Sequence, residues 1–182
     1  MSTILYQLHV DHINVANLLD VMERQFDELQ LQGDTDYGLL ADIMLYMTRY
    51  PDLYHHPKED LLFERLQVRA PELSDLLDIL VREHQQLAIN GQALLKALHD
   101  ADLSGVEPTD VLAKGADYIK LLRRHMDREE AEVFPGALQK LTDEDWEIIN
   151  ARMAPQNDPL FGSFVASQFR KRYDQIMQLV HQ

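Results

Sequence analysis

From Thr3 to about Gln30, apolar residues recur at intervals of three and four: Leu5, Leu8, Val15, Leu19, Met22, Phe26 and Leu29. That spacing lines one face of an α-helix, and His12 fills a seam position where another apolar side chain belongs. Gly33 and the acids Asp34 to Asp36 close this helix and cap a second one, which starts near Tyr37 and carries Leu40, Met44 and Met47. Pro51 and Pro57 each remove a backbone donor, which predicts a kink or restart near Tyr50. Beyond it His55, Glu59, Leu62 and Leu66 share a face as far as Ala70-Pro71. A third helix is expected from about Glu72 to Asp100, with Leu73, Leu77, Leu80, His84, Leu87, Gly91, Leu94 and Leu98 in line. After a loop around Ser104-Gly105 a fourth spans about Thr109 to Val133. Its inner face is Val111, Tyr118, Leu122, His125 and Glu129, and Phe134-Pro135-Gly136 is the expected stop.

Two further helices are expected in the tail, from Thr142 to Ala151, with Thr142 as N-cap and Asp145 three residues on, and from Pro159 to His181. The stripe of Phe161, Phe164, Val165, Phe169, Tyr173, Ile176 and Val180 reads as a face for docking on the rest of the chain. Alternating runs of β-branched residues are missing, so the fold class is all-α. The expected architecture is an up-and-down four-helix bundle over residues 1–138, with a helical extension over 139–182 packed on it.

The seams carry the chemistry. His12, His84 and His125 each interrupt an apolar line, and His55 holds the matching place on the remaining helix. His55 and His125 are each followed one turn later by a glutamate, Glu59 and Glu129, which puts an imidazole and a carboxylate on the same face. A buried carboxylate without a partner costs several kcal/mol or neutralises itself. Two of them among four imidazoles call for cations, and mixed imidazole and carboxylate ligands suit first-row metals such as iron, manganese, zinc or copper. A carboxylate can bridge two ions, so the pattern points to a dinuclear centre. It also repeats: an acid precedes the histidine in both Asp11-His12 and Glu83-His84, and the second histidine of each half follows at a similar distance. Asp11 and Glu83, about 100° around the helix from their neighbours, are read as solvent-facing rather than as partners of the ligands.

Composition excludes several alternatives. The 182 residues are 46% hydrophobic and 26% charged, ordinary for one globular core, and the formal net charge of -14 argues against nucleic acid and anionic membrane surfaces. With no cysteine, disulfides, thiolate-held clusters and thiol chemistry are out. No apolar run approaches a membrane span and the first residues do not form a signal peptide, so a cytoplasmic location is expected. The Glu-x-x-His pattern of ferritin-like centres, the zinc-protease motif, the phosphate-binding loop and the dinucleotide glycine fingerprint are all missing.

The stretches Val10-Asp11-His12, His55-His56-Pro57-Lys58-Glu59-Asp60 with Phe63, Arg82-Glu83-His84, and His125 through Pro135 resemble the hemerythrin-like proteins with an HHE cation-binding domain. The resemblance covers about residues 3 to 138. It implies two non-heme iron ions bridged by carboxylates, a position open to dioxygen, and the metal ligands His12, His55, Glu59, His84, His125 and Glu129. Oxygen carriers of this kind have a second histidine one turn after the first on the third helix, whereas position 88 here is Ala88. His56, His9 and Glu132 are the candidates to replace it, each with a surface role as the simpler reading. His99 and His181 read as surface residues, and Tyr118 as either core packing or a hydrogen-bond donor beside bound dioxygen.

Three functions fit this reading. The first is a module that binds or senses dioxygen or a related small oxidant; the second is a di-iron redox enzyme reducing peroxide, nitric oxide or dioxygen; the third is a bundle that metal merely holds together. The expected partner is a small diatomic or oxidant, with a protein partner or homodimer left open.

Overall fold

The computed structural model describes residues 3–104, 108–152, 158–161 and 175–180, and among them there is helix but no strand. The elements used below are α1 (Thr3–Gln32), α2 (Tyr37–Met47), α3 (His56–Arg69), α4 (Ser74–Ser104), α5 (Thr109–Arg128), α6 (Phe134–Lys140) and α7 (Asp143–Arg152). α4 packs against α2, α3 and α5; α1 packs against α2 and α5; α3 packs against α6 and α7.

Local chemistry sets the boundaries. α1 ends at Gly33, whose φ of 76° is costly for any residue with a Cβ, and whose N–H closes on the Leu29 carbonyl at 2.9 Å. Asp36 caps α2 by accepting from the Leu39 N–H at 2.8 Å. The restart expected near Tyr50 is a π-helical turn, Pro51–His55, with the His56 N–H bonded to the Pro51 carbonyl. A second π turn, Glu129–Val133, corrects the expected stop at Phe134-Pro135-Gly136: the helix runs on as α6 to Lys140. The wider turn, with the Phe134 N–H reaching back to the Glu129 carbonyl, resets the ladder so that Pro135 falls in the first turn of α6, where a missing donor costs nothing.

The apolar core is in two parts. One cluster contains Val15, Leu18, Leu19 and Met22 of α1, Leu39 to Met47 of α2, Leu87 and Leu94 of α4, and Tyr118 to Met126 of α5. The other contains Ile4, Leu5 and Leu8, then Leu62, Phe63 and Leu66, then Leu77 and Leu80, and finally Val133, Phe134 and Ala137. Between them lies a layer of buried histidines and acids. α1 and α4 pass from the second cluster through this layer to the first, and α2–α3 and α5–α6 pass the other way. α1 and α5 meet where the Phe26 ring lies over Gly115, so close that a Cβ there would sit 2.5 Å from a ring carbon.

The tail is anchored by acids. Thr142 and Asp145 form a reciprocal capping box at the start of α7, and the buried Asp145 carboxylate also takes Arg65 and Arg69 of α3. Asp158 accepts from the Tyr46 hydroxyl at 2.8 Å and from the Leu160 and Phe161 amides. Phe161 and Val180 pack on the first core cluster and Ile176 is buried in it; Phe164, Val165, Phe169, Tyr173 and His181 of the expected stripe and helix lie outside the described residues.

Candidate metal centre

The polar layer gathers His12 from α1, His55 and His56 from the first π turn and the start of α3, Glu59 from α3, His84 from α4, His125 from α5 and Glu129 from the second π turn. All are buried, and both glutamates have 0% exposure. The two π turns lie against the pairs His55/Glu59 and His125/Glu129, a common placement for π turns in functional sites.

Each of the five rings is gripped from outside by a carboxylate at Nδ1. His55 pairs with Asp11 at 3.1 Å, His125 with Glu83 at 3.2 Å, His84 with Asp60 at 3.0 Å, His12 with Glu130 at 2.8 Å and His56 with Asp52 at 3.3 Å. An ionised carboxylate only accepts, so Nδ1 donates in the four rings bonded to Asp11, Glu83, Asp60 and Glu130, and their Nε2 is left to face the interior. This is the arrangement that orients metal-binding histidines and raises their basicity.

The inward atoms do not satisfy one another. Nε2 of His12, His84 and His125 and all four oxygens of Glu59 and Glu129 are buried with no hydrogen-bond partner. Several lie close: His55 Nε2 is 3.0 Å and His12 Nε2 3.3 Å from Glu59 Oε1, and His125 Nε2 is 3.3 Å from Glu129 Oε1. These are ion-pair separations without the alignment of N–H···O bonds, as expected of atoms that converge on a shared centre. Orphaned buried acceptors are rare in native folds, and this cluster fits cations. One atom each from His56, Glu59, His84 and His125 fall within 4.8 Å of one another, and so do atoms of His12, His55 and Glu59.

Both carboxylates straddle these two groups. Glu59 presents Oε1 to His12 and His55 and Oε2 to His84 at 3.4 Å; Glu129 presents Oε2 to His12 at 3.5 Å and Oε1 to His84 and His125. Without cations the charge balance is made with protons. Burial opposes charge on His12 and His84, but Glu130 and Asp60 outside and the two glutamates inside outweigh it, raising His12 to about 10 and His84 to about 11. His55 and His125 are raised in the same way. Burial and the neighbouring Glu59 charge push Glu129 upward, yet His125 and His84 bring it down to about 2.

Residues 3–137 match the family of the hemerythrin HHE cation-binding domain. The chain belongs to that family. No curated protein and no solved structure matches it.

Within this HHE domain His56, Asp11 and Glu83 lie differently from the sequence expectation. His56 does not face solvent: it is buried, its ring stacked on His84 with centroids 4.3 Å apart. Asp11 and Glu83 are buried partners of His55 and His125 rather than surface acids, because a residue about 100° from the seam faces the adjacent helix in a bundle. Of the other candidates, Glu132 and His99 are exposed, and His9 is half-exposed at 3.0 Å from Glu130.

Sequence reasoning missed Asp52, Asp60 and Glu130. The doubled acids Glu59-Asp60 and Glu129-Glu130 were the available signal: in each the first faces inward and the second grips a histidine of the next helix. Beside the cluster lies a cavity of about 10 Å³ lined by residues including His12, His56, His125, Tyr118 and Leu122. Among the described residues no helix is long and apolar enough to cross a membrane.

Proposed function

We propose that this HHE domain holds two iron ions and binds dioxygen or a related small oxidant beside them. In this reading the fold is an up-and-down four-helix bundle over residues 1–138, with residues 139–182 as an extension docked on it. His12 and His55 on one side and His84, His125 and His56 on the other would hold the ions, with Glu59 and Glu129 between the two groups. Iron supplies the electrons and the exchangeable coordination position that dioxygen uses.

The observation that carries the reading is the straddling of both histidine groups by Glu59 and Glu129, each with one oxygen toward either side. The protein's own residues shape what can reach the centre. A cavity that holds about one water-sized molecule suits a diatomic. Val15, Leu122 and Met126 make its wall partly apolar, and the Tyr118 hydroxyl is kept protonated by burial and by the Asp52 charge, available as a hydrogen-bond donor.

The test is an optical spectrum of ferrous-loaded protein taken before air, after air and after removal of dioxygen. A charge-transfer band that appears and then reverses is the expected result. A band that persists would favour the redox-enzyme reading, and no band would leave a structural or non-iron centre.

A further inference from the structure

The residues of the centre are buried, yet ions must reach it. Beside it lies an open cleft of about 550 Å³ between α1 and α5, and His12 lies on its floor. His12 and Met126 line both this cleft and the small cavity at the cluster, so a single layer of side chains separates them. Glu130, half-exposed on the cleft side, is shared by two imidazoles: its Oε1 lies 3.0 Å from His9 Nδ1 and 2.8 Å from His12 Nδ1. Asp127 adds a second acid to the wall, while the nearby Arg123 is drawn aside by Asp20 and Glu23. In a chain of net charge -14, an acid-lined cleft concentrates cations.

The two halves of the bundle differ here. Asp60 grips His84 as Glu130 grips His12, but the position three residues before His84 is Val81, packed on the second core cluster, where the other half has His9. An imidazole with a carboxylate at the cleft is therefore not required by the ligand layout that repeats.

We infer that the α1–α5 cleft is the mouth through which divalent cations enter, with His9 and Glu130 as the transient first contact and the His12 ring as the gate. This rests on the metal-centre reading above. A cation taken by His9 and Glu130 releases the Nδ1 bond of His12, and the freed ring can turn to pass the ion inward. Because Glu130 also orients His12, it is a poor sole test. Ile13, exposed, and His9, half-exposed, are better, since both line the cleft outside the inner cluster.

The experiment is stopped-flow uptake of Co²⁺ by the metal-free full chain, followed by visible absorbance, with release measured separately by chelator. An entrance changes the barrier alone, so Ile13→Trp should slow uptake and release together by roughly tenfold with affinity and stoichiometry unchanged, and His9→Ala should slow uptake by a similar factor. Asp60→Asn, on the half without such a histidine, should weaken affinity through faster release and leave the uptake rate alone. Uptake at the wild-type rate in both cleft variants would overturn the mouth while leaving the centre intact. Wild-type protein that takes up no Co²⁺ would overturn the centre itself, and the mouth with it.

Discussion

Asp11 on α1 holds His55, at the end of the first π turn, through Nδ1 at 3.1 Å, although Asp11 sits next in sequence to a different histidine of the cluster. Glu83 on α4 does the same for His125 on α5. The acid before each seam histidine thus serves the histidine of the neighbouring helix.

Asp11→Ala should therefore lower metal affinity by about 10- to 100-fold, the usual loss when an outer partner of a ligand is removed. Competition against a chromophoric chelator measures it. Unchanged affinity would mean that Asp11 does not orient His55.

His56 is expected to hold metal in place of a histidine at position 88. His56→Ala should reduce bound metal toward half, since His12, His55 and Glu59 form a group without it. Elemental analysis reads this directly. His84→Ala or Glu129→Ala should cost metal in the same assay, and His99→Ala, on the surface, should not.

The metal-free protein should be most stable near pH 6.5. His12 and His84, raised from 6.5 to about 10 and about 11, keep protons that the unfolded chain loses. Their contribution is full below about 6.5 and drains away as pH rises toward those values. His56, lowered by burial to about 4, opposes folding increasingly as pH falls from 6.5. Glu129, lowered to about 2, contributes above its ordinary 4.5 and loses that as pH falls through about 2. Each unmatched proton changes stability by about 1.4 kcal/mol per pH unit. Thermal midpoints against pH should decline on the alkaline side without metal and flatten with it, because bound ions replace the protons on Nε2. A metal-free profile that is level from neutral to alkaline pH would contradict the charge balance described above.

Asp145→Ala removes a capping box and two arginine contacts at a buried carboxylate. It should destabilise the protein by about 2 kcal/mol and leave metal content intact. Urea unfolding midpoints and elemental analysis on the same samples separate the two effects.

The legible part of this protein was whatever breaks a period. His12 and His84 stood out because an apolar line ran on both sides of each, and His55 and His125 because a glutamate followed one turn later. His56 was hidden because adjacent residues on a regular helix do not face the same way; the π turn ending at His55 changes the local rotation, and both rings face inward. The acids that grip the rings were hidden for a different reason. Their partners lie on other helices, and no spacing within one helix reveals a contact across two. The continuation through Pro135 depends on a π turn that carries no periodic signature.

Four of the carboxylate grips run in a closed circuit: α1 to His55 beside α3, α3 to His84 on α4, α4 to His125 on α5, and the turn after α5 back to His12 on α1. Sliding any one helix along its axis by a turn would break the link it gives and the link it receives. The circuit therefore fixes the axial register of the bundle, a task that leucine seams, tolerant of slippage by a whole turn, perform poorly. The same acids that set the rings for metal also tell the helices where to stop.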